Sequence, residues 1–269
     1  MQERVEDGCA TVGSMAVDWA RYLAAYHRDN PGITERVLSR STHGEVGDPY
    51  RWLRSGLPQE SGVVVDVAAG NLPLRPLFSR DTRYIGCDLS ESELALAAGQ
   101  GRSGMVLADI NRLPLADACA DAAVSSMGLM LVTSPQAALN ELARVLRPGG
   151  ALALLLPAQW PLRPIDVLPL VSLSWALKGP GSMPNVIGAR RARRLIRRAG
   201  LVPLDIRRAR FRLPIRSAAD AELAVAALYT PGRSEKQRKR AIAALKHLAP
   251  NGELPVPLLR VIARRSPAD

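Results

Sequence analysis

The 269-residue chain has only three cysteines, three histidines and an aromatic content of 4%. Cys9, Cys87 and Cys119 lie far apart without metal-ligand spacing. That excludes a disulfide framework or a zinc site, and the expectation is a reducing, cytoplasmic protein with no bound metal. So few aromatics also argue against a single-strand nucleic-acid reader, which stacks bases on aromatic faces. Long hydrophobic runs are missing as well. The most apolar, VLPLVSLSWAL (167–177), is too short to cross a bilayer. It reads as a buried or lid helix, with a membrane-facing helix as the alternative. The opening MQERVEDGCATVGSM is acidic and lacks the apolar centre of a secretory signal.

A hydrophobic content of 47% provides for a substantial core. The net charge of +11 comes mostly from arginine, clustered at 189–200, 207–212 and 233–240. In ARRARRLIRRAG (189–200), Ala192, Leu195, Ile196 and Ala199 recur at helical spacing with arginines on the other face, the pattern of a solvated helix. A nucleic-acid partner is therefore allowed by charge but not favoured.

From residue 61 onward, apolar runs alternate with helical patterns, as βαβ units of a parallel sheet do. The expected strands are 62–68, 84–88, 104–109, 121–127 and 151–157, followed by 202–213 and 254–265. Ser90 with Glu93 has the spacing of a capping box, and Ser134 before Pro135 that of an N-cap with proline in the first turn. Segment 158–186 holds five prolines and several large apolar residues, so it is expected to form a stiff lid. Two more capped helices are expected from Ser217 and Ser234. The first 55 residues read as a helical cover, with Trp19, Tyr22 or Leu23, and Tyr26 on one face.

Ligands of such sheets sit at the carboxyl ends of the strands. Asp66, Asp88 and Asp109 fall at three consecutive strand ends. Asp88 stands 18 residues beyond Gly70, near the spacing at which an acid holds a ribose in nucleotide folds. An acid there disfavours a 2′-phosphate. The turn after the first strand, VVVDVAAGN (63–71), lacks the glycines of a Gly-x-Gly-x-x-Gly dinucleotide turn.

VVVDVAAGN (63–71), YIGCDLS (84–90), ADINRLPLADACADAAVSSMGLMLV (108–132) and ALNELARVLRPGGALAL (138–154) occur in order. Together they resemble the motifs of class I S-adenosylmethionine-dependent methyltransferases of the broad small-molecule type. The resemblance covers roughly residues 60 to 157 and implies an α/β, Rossmann-like, doubly wound and mostly parallel seven-stranded sheet. N-terminal helices (1–55) would cover it, and insertions at about 158–186 and 217–248 would form a lid on the 56–269 domain. It implies S-adenosylmethionine as cofactor. Asp66, Ala68 and Gly70 would hold its methionine part, Asp88 with Leu89 the ribose, Asp109 with Ile110 the adenine, and Ser126 with Met127 the sulfonium end.

The chain departs from the pattern in two places. Ala68 and Leu72 stand where relatives have glycine; alanine fits if its φ is negative, whereas leucine narrows the turn. Met130 and Leu131 stand where many relatives carry histidine, so His27 is the candidate base. Tyr26, Trp160, Trp175 and Met183 are candidate walls for an apolar small-molecule acceptor. A nucleic-acid methyltransferase and a non-catalytic cofactor-binding protein are the alternatives, and the oligomeric state is not readable.

Overall fold

The computed structural model describes residues 17–267, so Cys9 and the acidic opening lie outside the described residues. Seven strands form one sheet: β1 (Val63–Val67), β2 (Arg83–Asp88), β3 (Met105–Leu107), β4 (Ala120–Ser126), β5 (Leu146–Pro157), β6 (Leu201–Ile215) and β7 (Gly252–Arg265). Their order is β3-β2-β1-β4-β5-β7-β6. The first five strands run parallel, and β7 pairs antiparallel with both β5 and β6. The strand order reverses between β1 and β4, which opens a crevice at their carboxyl ends.

The alternation of side chains along a strand divides the core in two. Val65 and Val67 join Leu139 and Leu142 of α5 (Pro135–Val145) and Ile196 of α7 (Ala189–Arg198) on one face. On the other, Val64 packs with Trp52 and Leu53 of α3 (Pro49–Arg54) and Ala97 of α4 (Glu91–Gly99). With an apolar layer on both faces, these strands are the near-continuous valine and alanine runs seen in the sequence. As expected, α7 buries Ala192, Leu195 and Ile196 and leaves Arg190, Arg193, Arg194, Arg197 and Arg198 in solvent.

Segment 158–186 departs from its expected role as a lid. Its helix α6 (Val167–Leu177) buries Pro169, Leu173, Ala176 and Leu177. Leu173, Ala176 and Leu177 form a third apolar cluster with Leu213 and Ile215 of β6 and with Ala241 and Leu245 of α9 (Glu235–Lys246). This cluster holds α6 beside the far end of the long β6–β7 ribbon. The preceding α8 (Ala218–Ala226) and α9 each start with the reciprocal serine cap the sequence shows. The cover helices are α1 (Trp19–Asp29) and α2 (Ile33–Arg40).

Candidate active site

A cavity of about 590 Å³ opens at the carboxyl ends of β1, β2, β3 and β4. Asp66, Ala68, Gly70, Asp88, Leu89, Asp109, Ile110, Ser126 and Met127 all line it. Helix α1 adds Trp19, Leu23 and His27 to the wall at four-residue spacing, and Leu131, Val132 and Pro184 add further apolar surface. The site thus has a polar floor at the strand ends and an apolar roof.

The turn after β1 is built differently from the sequence expectation. Ala68 has φ +49° and Leu72 φ +62°, so both adopt the left-handed conformation ordinarily left to glycine. Two compensations make this feasible. The Leu72 side chain leaves the cavity for the core and lies against Gly86 of β2, where an added Cβ would come within 2.8 Å of Leu72 Cγ. The Ala68 methyl group fills the space above Gly128, whose own Cβ would lie 2.3 Å from it. Gly128→Ala is therefore expected to destabilise the fold by about 1–3 kcal/mol through overpacking. Ala68→Gly in the same chain should restore part of that loss, because it removes the nearer clash and the left-handed strain and leaves only the contact with Ser125 Oγ at 2.8 Å. A double-mutant cycle on melting temperature checks the coupling; additive effects would contradict it.

Asp66 is 1% exposed. Its Oδ2 accepts a hydrogen bond from the Tyr84 hydroxyl, whereas its Oδ1 has no partner. Burial pushes this carboxyl up to about 7, against the lowering influence of Tyr84. Asp88 is tied down on both oxygens: Gly70 N donates to Oδ2 (2.7 Å) and Ser90 N to Oδ1 (2.8 Å). Burial raises its pKa too, opposed by these two amide bonds. Asp109 accepts from the backbone and side chain of Asn111, both at 2.9 Å, and is exposed at the rim beside buried Ile110. Ser126 Oγ on the floor also lacks a partner. Both atoms are closed off from solvent in residues that border the cavity, and buried polar atoms without partners cost stability.

His27 reaches the same cavity. Its Nδ1 lies 3.2 Å from Glu93 Oε1, and its Nε2 lies 3.3 Å from the Tyr229 hydroxyl. Glu93 corrects the capping-box reading. Ser90 does cap α4, but the buried Glu93 carboxylate turns to His27 and to Gly32 N (3.0 Å). Ser90 N is already taken by Asp88. Tyr229, in the loop between α8 and α9, gave no signal in the sequence, since it sits 202 positions from His27. Glu35 of α2, in an ion pair with Arg102 (2.8 Å), accepts from Asn71 and so ties the cover to the turn.

The four acceptor-wall candidates are placed elsewhere. Trp160 is 63% exposed and Trp175 81%, and neither borders the cavity, because α6 packs toward α9. Met183 lies off the cavity, although Pro184 and Asn185 next to it form part of the wall. Tyr26 does not border the cavity; its hydroxyl donates to Ala226 O (2.7 Å), and its ring packs on that of Tyr229 at 4.7 Å.

Residues 65–154 match the family described as a methyltransferase domain. Over 126 residues the chain is 40% identical to the demethylmenaquinone methyltransferase of Mycolicibacterium paratuberculosis, a match covering 45% of this chain and 54% of that protein. Over 120 residues it is 34% identical to the ubiquinone/menaquinone biosynthesis C-methyltransferase UbiE of Rubrivivax gelatinosus, covering 42% of this chain and 47% of that one. The chain thus spans about half the length of the curated relatives it matches. Its backbone also superposes on geranyl diphosphate C-methyltransferase from Streptomyces coelicolor, solved with S-adenosylhomocysteine, at a TM-score of 0.55. That alignment covers 94% of this chain and 100% of the other at 15% identity, a likeness of fold alone. The family match spans Asp66, Asp88, Asp109 and the turns that carry them. The chain therefore contains a class I S-adenosylmethionine-dependent methyltransferase domain, with S-adenosylmethionine as its cofactor.

Proposed function

We propose that the protein transfers a methyl group from S-adenosylmethionine to an apolar, ring-bearing small molecule of the quinone type. The observation that carries this reading is that one cavity is lined by the strand-end acids Asp66, Asp88 and Asp109 and by the apolar side chains Trp19, Leu23, Leu131 and Val132. The relatives' names supply the acceptor class.

When bound, the cofactor supplies an electrophilic methyl group on a sulfonium. Asp88, held by two backbone amides, faces the cavity as a ribose-hydroxyl acceptor. Asp66 Oδ1 is suited to a cationic group. Asp109 and Ile110 offer a carboxylate and an apolar surface for the adenine. The apolar roof excludes water and holds the acceptor in line, which is the protein's main task in a displacement at carbon. A phenolic acceptor must also lose a proton for its ring carbon or oxygen to attack, and His27 is the base in reach.

The test is production of S-adenosylhomocysteine from purified protein with a reduced quinone lacking its ring methyl. Acceptor-dependent turnover supports the reading, and no turnover with quinones or other ring hydroxyls would overturn it. Asp88→Ala should weaken cofactor affinity about thirtyfold, since a charge-assisted hydrogen bond and the amide ties of the turn are lost together. Equal affinities by calorimetry would remove Asp88 from the site.

A further inference from the structure

Among the described residues, the side of α6 opposite its buried cluster has no partner. Leu168, Val171 and Trp175 are exposed and repeat at three- and four-residue intervals, so they form one stripe along the helix, with exposed Pro164 in the turn before it and Lys178 at its left-handed C-cap. Ile165 and Val167 widen it, and Trp160 is close in the chain; Ile165 is 73% exposed and Leu168 72%. A soluble surface rarely presents so many large apolar side chains side by side. Between residues 159 and 178 the sole acid is Asp166, which is buried and paired with Arg210. Arg163 precedes the stripe and Lys178 ends it. Arg240 of α9 shares a shallow depression with Val171, Trp175 and Lys178.

We infer that this face of α6 docks on an anionic lipid surface. An apolar stripe with tryptophan, bounded by cations and free of exposed acids, is the composition of a helix lying in the bilayer interface. Trp175 settles at headgroup depth, and Lys178, Arg163 and Arg240 meet the lipid phosphates. A second copy of the chain is a poorer occupant, because its own cations would be brought against these ones. Among the described residues no helix is long and apolar enough to cross a membrane, so the contact is peripheral. The same insertion continues to Pro184 and Asn185 in the cavity wall, which joins the docked helix to the active-site mouth.

Co-sedimentation of the full chain with phosphatidylglycerol–phosphatidylcholine vesicles, against pure phosphatidylcholine, tests this. The expected partition is at least about tenfold higher on the anionic vesicles and falls with salt. Leu168→Asp with Trp175→Asp should lower it at least about tenfold, at unchanged melting temperature and cofactor affinity, because both side chains are already in solvent. The inference is overturned if the wild type ignores anionic vesicles or the double variant binds them equally. It is also overturned if sedimentation velocity shows a dimer that the double variant abolishes.

Discussion

Affinity for S-adenosylmethionine is expected to fall about a hundredfold between pH 8 and pH 5, a loss set by proton uptake at one buried carboxyl. Asp66 borders the cavity, is pushed up to about 7 by burial, and its Oδ1 has no partner. A cationic ligand group against that oxygen favours the ionised form. Binding must then expel the proton at any pH below 7, at a cost of about a factor of ten per unit. Above pH 7 the dependence levels off. Calorimetry in buffers of differing ionisation enthalpy should show close to one proton released per cofactor at acidic pH. Asp66→Asn should bind more weakly at pH 8 and lose most of the slope. Asp88, also raised by burial, faces the same ligand, so the variant is needed to assign the slope to Asp66. The sign for stability is opposite. The ligand-free folded protein holds this proton more tightly than the unfolded chain, whose carboxyl has the ordinary value of 3.8. Stability of the free protein should therefore decline as pH rises from about 4 to about 7, and the cofactor should offset that decline. A pH-independent affinity in the wild type would show that no cation meets Asp66.

The floor of the cavity was legible because its logic is local. A parallel strand buried on both faces is apolar until its carboxyl end, so an acid at that end stands out, and Asp66, Asp88 and Asp109 did. The roof was legible only in part. The stripe Trp19–Leu23–His27 has helical period, but spacing does not tell which of its sides meets the cavity and which meets Tyr229. Glu93 matched a capping box, and only the fold shows its carboxylate spent on His27 and Gly32. Segment 158–186 was misread for a related reason. Its helix is apolar all round, so periodicity could not decide which face is buried, and the tryptophans expected over the acceptor stand in solvent. At Ala68 and Leu72 residue type argued against a left-handed turn. The answer lay in Gly86 on β2 and in Gly128 just beyond β4, which give up their own volume to those side chains.

His27→Ala is expected to lower kcat by about a hundredfold or more, in the range of a lost general base, while cofactor affinity changes by no more than about threefold. The argument starts from Glu93. An ionised carboxylate only accepts hydrogen bonds, so its contact with Nδ1 requires the hydrogen on that nitrogen and leaves the lone pair on Nε2. Nε2 meets the Tyr229 hydroxyl, which borders the cavity and accepts in turn. A phenolic acceptor bonded to Tyr229 can then pass its proton to the tyrosine oxygen as the tyrosine proton moves to Nε2. Burial holds the Tyr229 phenol well above its ordinary value, so it relays the proton and is not itself ionised. Glu93→Gln provides the sharper test. Its amide oxygen can still receive the Gly32 amide, but its NH2 group then faces Nδ1, which forces the hydrogen to Nε2 and removes the base without removing the ring. That variant should keep its melting temperature within a few degrees and its cofactor affinity, yet lose most of the turnover that His27→Ala loses. Tyr229→Phe should lose less than either, because an acceptor hydroxyl can reach Nε2 directly once the phenol is gone. If His27→Ala retains kcat within about threefold at saturating acceptor, the pair is a tether between α1 and α4, and the acceptor reacts without help from a base.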